Sequence, residues 1–277
     1  VTVAPSPTSN YNSYREVLRE ACGQQPSEWT FKTDPRYQVV LEHVTHNQGF
    51  QFIEQVRVEY ETYWPDILAV LPEIVRENDR YGVPGTALYE VLGFWCSPSN
   101  FRYLSQAMRL FTHAESLGLH EIHVLELGGG YGGLALYVYR LAHLFPSIHI
   151  DAYSMIDLPE AAIVQMKMAE VLNLPTESVN GLDELALAWV LDRSQASRFL
   201  YSAYAFSEFD ADTRDWYAEH LVRHCDHGMV VWNFVNGVVG IAEKVLGGPP
   251  YQFVDKPLKV ERDRPAMYPE SIKLVTF

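Results

Sequence analysis

The 277-residue sequence is poor in cysteine, has no cationic run and contains no long apolar stretch. Its three cysteines, Cys22, Cys96 and Cys225, lie far apart, which excludes a paired zinc or redox motif and a disulfide framework. They read as three small buried hydrophobes in a reducing, cytoplasmic compartment. No apolar run approaches the roughly 20 residues that a membrane-spanning helix needs. Lys and Arg number 21 against 35 Asp and Glu, a formal charge of −14. Without a local basic patch such a chain repels phosphate backbones and anionic lipid, so neither nucleic acid nor membrane is an expected partner. Residues 1–10 lack the charged and apolar regions of a signal peptide and read as a flexible lead-in. The absent initiator Met suggests a domain trimmed from a longer chain.

What is present is the composition of a folded protein, 48% apolar and 20% charged. The first hundred residues read as helical, with no convincing strand alternation. Phe52, Val56, Tyr60 and Tyr63 recur at helical spacing, as do Ile67, Leu71, Ile74 and Val75 across Pro72. Residues 78–85 form a turn-rich break. Ser97 is placed to cap the next helix, with Pro98 at its first position and Leu104, Met108 and Phe111 on one face. From residue 118 strands alternate with helices. Strands are predicted at 123–127, 149–156, 198–204, 228–234 and 271–277, and helices at 134–145, 159–172 and 213–224. This alternation predicts an α/β fold with a mainly parallel sheet over 118–277, preceded by a helical cap over 1–117.

Between the first strand and its helix stands Gly128-Gly-Gly-Tyr-Gly-Gly133, five glycines in six residues. Glycines there allow positive φ and let a ligand lie against bare backbone at a helix N-terminus. The G-x-G-x-x-G match at Gly128, Gly130 and Gly133 is shared by nicotinamide, flavin and S-adenosylmethionine sites, and a tight turn that binds nothing is the bland alternative. Glu126 discriminates among these ligands. A dinucleotide sets its pyrophosphate at this turn, where a carboxylate repels it, whereas S-adenosylmethionine brings an ammonium and a sulfonium and no phosphate. Asp157, 24 residues after Gly133, can accept ribose hydroxyls in either class; its alternative role is a helix cap.

Several motifs carry a family resemblance. Glu126-Leu-Gly-Gly-Gly-Tyr-Gly-Gly133 and Ile156-Asp-Leu-Pro-Glu160 resemble the sugar O-methyltransferases, a branch of the S-adenosylmethionine-dependent methyltransferases. Asn78-Asp-x-x-Gly-x-Pro84, Ser97-Pro-Ser-Asn-Phe-Arg-Tyr103 and Tyr204-Ala-Phe-Ser-Glu208 resemble further segments of that family. The similarity spans roughly residues 75–277, and Ser99 stands where the family pattern has threonine. The resemblance implies a seven-stranded Rossmann-like methyltransferase sheet whose last strand runs antiparallel. It also implies methyl transfer from S-adenosylmethionine to a carbohydrate acceptor, with S-adenosylhomocysteine as product. Gly128, Gly130 and Leu158 of these motifs would then contact the donor with Glu126 and Asp157. Arg102 would reach its carboxylate, Tyr103 its polar edge, and Tyr131 would cover its methionine portion.

A sugar hydroxyl is a weak acid, so its methylation needs a base within hydrogen-bond reach. Glu208, after the strand ending near Tyr204, is the candidate base or substrate orienter; capping the helix near Thr213 is its alternative. Tyr204, Trp232 and Asn233 are the acceptor-binding candidates, with Phe234 and Asn236 nearby; a core tryptophan and an Asn-Gly turn are the alternatives. Glu208, Asp210 and Asn233 could also assemble a divalent-metal site, which their spacing does not require. His220, His224 and His227 have spacing open to a metal, but cations near a helix C-terminus are the ordinary explanation. Two rival functions are methylation of another small metabolite and a non-catalytic nucleoside-binding scaffold; a nicotinamide oxidoreductase comes last.

Overall fold

The computed structural model of the chain describes residues 9–233, 254–265 and 272–277. The N-terminal layer holds α1 (Ser9–Cys22), a one-turn α2 (Pro35–Gln38), α3 (His46–Glu59) and α4 (Trp64–Asp79). A helix thus starts at Ser9, inside the stretch expected to be a loose lead-in. Phe52 and Val56 of α3 are buried, as are Ile67, Leu71, Ile74 and Val75 of α4, which runs unbroken through Pro72. Tyr60 and Tyr63 fall in the turn between these helices. A short hairpin, β1 (Ala87–Tyr89) with β2 (Phe94–Cys96), interrupts the helical layer. Strands of three residues are too short to show an alternating period. The next helix, α5 (Ser99–Ser116), departs from expectation at its start. Pro98 is already helical, and Ser97 donates its hydroxyl to Asp79 at 2.7 Å instead of capping a backbone amide.

The second half comprises β3 (Glu121–Leu127), α6 (Gly133–Leu141), β4 (His149–Asp157), α7 (Pro159–Leu172), β5 (Glu177–Asn180), α8 (Glu184–Leu191), β6 (Ser197–Ala203), α9 (Ala205–Glu208), α10 (Ala211–His220), β7 (His227–Asn233), β8 (Lys259–Arg262) and β9 (Ile272–Thr276). The strands form one seven-stranded sheet in the order β5-β4-β3-β6-β7-β9-β8. The first five are parallel, and β9 runs antiparallel to both β7 and β8. This is the Rossmann-like sheet, with its last strand reversed. Strand order turns about β3 and β6, so the loops leaving these two strands lie side by side at the carboxyl edge, where ligands of such sheets bind.

Both sheet faces are covered, which is why the central strands read as near-continuous apolar runs. Val124 of β3 faces the layer built from α1, α3, α4 and α5, while its neighbour Leu125 faces the side of α8 and α10. One buried cluster runs without a break from Tyr14 and Val17 of α1 to Phe199 and Tyr201 of β6. Cys96 and Cys225 are buried and Cys22 half-buried, all three as free thiols. Among the described residues no helix is long and apolar enough to cross a membrane.

Candidate functional site

The glycine loop joins β3 to α6 through three residues in the left-handed region, Gly128, Gly130 and Gly132, at φ of 82°, 62° and 91°. Space is equally restrictive. A Cβ at Gly128 would lie 2.2 Å from Ala205 Cβ, and one at Gly130 2.8 Å from Leu41 Cδ1. One at Gly133 would lie 2.6 Å from the Tyr103 ring. The loop is therefore enclosed by the start of α9, by the N-terminal layer and by α5.

Two carboxylates flank it. Glu126, buried near the end of β3, accepts the Tyr153 hydroxyl at 2.8 Å. Burial, reinforced by nearby Asp157, pushes its pKa up to about 7, against the pull of the Tyr153 bond. Asp157 ends β4. Its Oδ2 accepts the Gly130 amide and the Gln165 side-chain amide, each at 3.0 Å, and its Oδ1 accepts the Leu158 amide at 2.8 Å. Burial still holds Asp157 at about 6. At both carboxyls burial outweighs the hydrogen bonds that favour the charged form. Asp157 thus ties the glycine loop to β4 and also opens α7, where Leu158 is the cap and Pro159 the first residue.

Sequence reasoning passed over Gln165, which also donates to the Gly130 carbonyl at 3.0 Å. Its only signal was a polar side chain among the apolar residues of α7. Its Oε1 is buried without a partner, as are Tyr37 Oη and Glu42 Oε1.

Arg102 and Tyr103 of α5 are buried. Arg102 donates to the Leu41 carbonyl at 3.0 Å, and Tyr103 stands edge-on to Tyr131 with ring centroids 5.8 Å apart. Tyr131 is fully buried and turned into the helical layer. Its hydroxyl donates to Asn78 Oδ1 at 3.1 Å, and Lys32 Nζ stands 3.9 Å from its ring centroid. Those two partners fix its ring against the helical layer.

Beyond β6 the chain turns sharply at Tyr204, whose φ of 73° is strained for a bulky residue. Its carbonyl accepts the amides of Ser207 and Glu208 at 3.0 and 3.1 Å, which sets Glu208 at the carboxyl edge beside the glycine loop. Tyr11 of α1 donates its hydroxyl to Glu208 Oε2. Burial and the adjacent Glu208 hold this phenol well above its ordinary range, so it remains a donor. The cap of α10 is Asp210, whose two oxygens accept the Thr213 amide at 2.8 Å and hydroxyl at 3.1 Å. The capping alternative for Glu208 therefore falls to Asp210, whose oxygens serve the helix. Salt bridges from Arg15 (3.1 Å) and Arg19 (2.8 Å) to Glu160 lay α1 along the start of α7.

Trp232 is only 2% exposed, edge-on to Phe206 with centroids 5.9 Å apart and with Arg214 5.7 Å from its ring. It belongs to the second core, so the ring face expected to meet an acceptor is occupied by protein. Asn233 closes β7 through its backbone pairing with Ile272. Its side chain, Phe234 and Asn236 lie outside the described residues. His220 stacks on Trp216 at 4.6 Å and bonds its carbonyl at 2.8 Å. Among the described residues, Glu121, His149 and Asp151 bring three possible ligand atoms together, all exposed and at the strand ends remote from the glycine loop.

Sheet and loop together define a Rossmann-like α/β protein with acids at the ends of β3 and β4. No family model matches the chain, and no curated protein matches it. Solved structures similar to it include the plantazolicin methyltransferase BpumL with a monoazolic desmethylPZN analogue and S-adenosylhomocysteine, at 17% identity and TM-score 0.35. That match covers 48% of this chain and 48% of the other, so the chain spans about half the length of that structure. The mitomycin 7-O-methyltransferase MmcR is similar at 15% identity and TM-score 0.40, over 94% of this chain and 74% of that one. The CurJ carbon methyltransferase is similar at 13% identity and TM-score 0.42, over 96% and 90%.

Proposed function

We propose that the protein is an S-adenosylmethionine-dependent O-methyltransferase acting on a carbohydrate hydroxyl. The observation that carries the donor half is the pair of carboxylates, buried Glu126 and half-buried Asp157, which flank the glycine turn and are both raised by desolvation. A site so charged favours a ligand bearing an ammonium and ribose hydroxyls and disfavours a pyrophosphate. The unpartnered Oε1 of Gln165, whose amide nitrogen bonds the Gly130 carbonyl, fits a hydrogen-bonding ligand at the loop. When bound, the donor supplies a methyl group on a good leaving group. Glu126 and Asp157 hold its charged and ribose groups, Gly130 presents bare backbone, and Arg102 offers a buried guanidinium to a carboxylate. Leu41 stands against Gly130, so a ligand lying on the loop displaces it.

The acceptor half rests on the motif resemblance and on Glu208, which takes the acceptor proton with Tyr204 and Tyr11 beside it. A second reading, a phenolic small-molecule acceptor, is favoured by Tyr11 itself, since a phenol already sits on Glu208.

Calorimetry tests the donor. S-adenosylhomocysteine should bind and NAD should not. Protonation removes the charge that holds the ammonium, so affinity should be full above pH 7. It should weaken by about tenfold per unit as pH falls below the Glu126 value of about 7. Glu126→Gln should lower affinity by about 10- to 150-fold, a charge-assisted bond's worth, and flatten this limb. Tight NAD binding without S-adenosylhomocysteine binding overturns the reading. Transfer of labelled methyl to a panel of sugars, glycans and phenols decides the acceptor.

A further inference from the structure

We propose that Lys32 and Asn78 are positioning residues of the glycine loop and act on it through Tyr131. The consequence for the donor rests on the function proposed above; the consequence for the loop does not.

Tyr131 is the one side chain among the loop's glycines, and it is gripped twice. Its hydroxyl donates to Asn78 Oδ1 at 3.1 Å, and Lys32 Nζ stands 3.9 Å from its ring centroid, within cation–π range. The same Lys32 ammonium donates to the Asn78 backbone carbonyl at 2.7 Å. Asn78 cannot turn away. Its Nδ2 donates to Asn100 Oδ1 at 2.9 Å, which also accepts the Tyr137 hydroxyl of α6 at 2.8 Å. Asn100 Nδ2 in turn donates to Asp79 Oδ1 and Ser97 Oγ, both at 2.9 Å. Gly82 closes the far side, where a Cβ would lie 2.7 Å from Lys32 Cγ. The segments 78–84 and 97–103 thus converge on the loop's one side chain, while Asp157 and Gln165 hold its backbone at Gly130.

Lys32 lies in the 3₁₀ turn Phe31–Thr33 and is fully buried; among the described residues it forms no salt bridge, though the Glu42 and Asp79 carboxylates act on its charge from a distance. A buried ammonium is costly, and exchanging it for methionine removes that cost while giving up its bond to the Asn78 carbonyl, two effects of opposite sign. A five-glycine loop, however, has the greatest backbone freedom to lose on ordering, so a clamped side chain in its middle matters there more than elsewhere. The lysine gains little for stability and much for loop order.

That contrast supplies the test, made on the full chain with Lys32→Met and Tyr131→Phe. Three quantities are measured: amide hydrogen exchange of residues 128–133, the melting temperature, and S-adenosylhomocysteine affinity by calorimetry. Lys32→Met should leave the melting temperature near that of wild type, the relief of a buried charge offsetting the lost Asn78 bond, while loop exchange accelerates by about tenfold or more and exchange in β3 and β4 stays as in wild type. S-adenosylhomocysteine affinity should fall by about tenfold. Tyr131→Phe, which keeps the ring under the lysine, should act in the same direction and more weakly, and it decides the matter if Lys32→Met does not fold. Loop exchange within about twofold of wild type in the folded variants overturns the proposal. So does a Lys32→Met variant that melts lower and loosens the whole helical layer alike, because the lysine is then only structural. If the wild-type protein does not bind S-adenosylhomocysteine, the donor reading fails and loop exchange alone decides.

Discussion

Exchange of Glu208 for glutamine should lower methyl transfer by about 10²–10⁴-fold, the usual contribution of a positioned base. Glutamine keeps an oxygen for the Tyr11 hydroxyl, so the contact between α1 and α9 persists while the proton acceptor is lost. The cap of α10 is supplied by Asp210, two residues away, so the melting temperature should stay near wild type. S-adenosylhomocysteine affinity should be unchanged as well. Labelled-methyl transfer, calorimetry and thermal melting on this one variant separate the roles. Wild-type turnover in folded Glu208→Gln removes the base assignment and leaves the donor site standing. Activity lost to a chelator and restored by magnesium or manganese would hand part of the deprotonation to an ion.

A larger structural effect is expected from Gly128→Ala. The residue has φ of 82°, and the added Cβ would meet Ala205 Cβ at 2.2 Å. The left-handed conformation alone costs roughly 1–2 kcal/mol in an L-residue. The collision must also push α9 off the loop, and α9 carries Glu208. We therefore expect the melting temperature to fall by roughly 3–10 °C. S-adenosylhomocysteine affinity and turnover should each drop by more than about 100-fold, since a misplacement near 1 Å costs that much. Gly118→Ala is the control. Its φ of 68° is equally left-handed, but nothing lies within 4 Å of the added Cβ. It should lower stability modestly and leave ligand affinity untouched. Equal binding by the two variants would show that the contact with α9 is unimportant.

The elements read most faithfully from sequence were those with long local periods. α7 spans Pro159–Leu172, as its proline start and apolar stripe predict, and β3 and β4 flank a loop whose glycines announce the turn. β5 escaped because its four residues are all half-buried and carry no alternation, and β8 because it is a short edge strand. α8 is apolar on every side, with Leu185 and Trp189 exposed, and so shows no single face. Around the loop, Glu126 and Asp157 sit at strand ends that local order alone determines. Tyr11, Lys32, Tyr153 and Gln165 were not legible, because each meets its partner through packing between elements, and no spacing rule encodes that. Trp232 looked like a stacking platform from composition; only the covered sheet face shows that its ring is enclosed.

The order of synthesis has its own consequence for α1. Its charged partner Glu160 lies 145 positions after Arg15, and Glu208 lies 197 positions after Tyr11. At ~5–20 residues per second, Tyr11 is made roughly 10–40 s before Glu208. Through that interval Tyr14, Val17 and Leu18, all buried in the finished protein, have no complete surface to dock on. α1 is thus among the last helices to settle, and holdase chaperones that shield it should raise the yield of active protein.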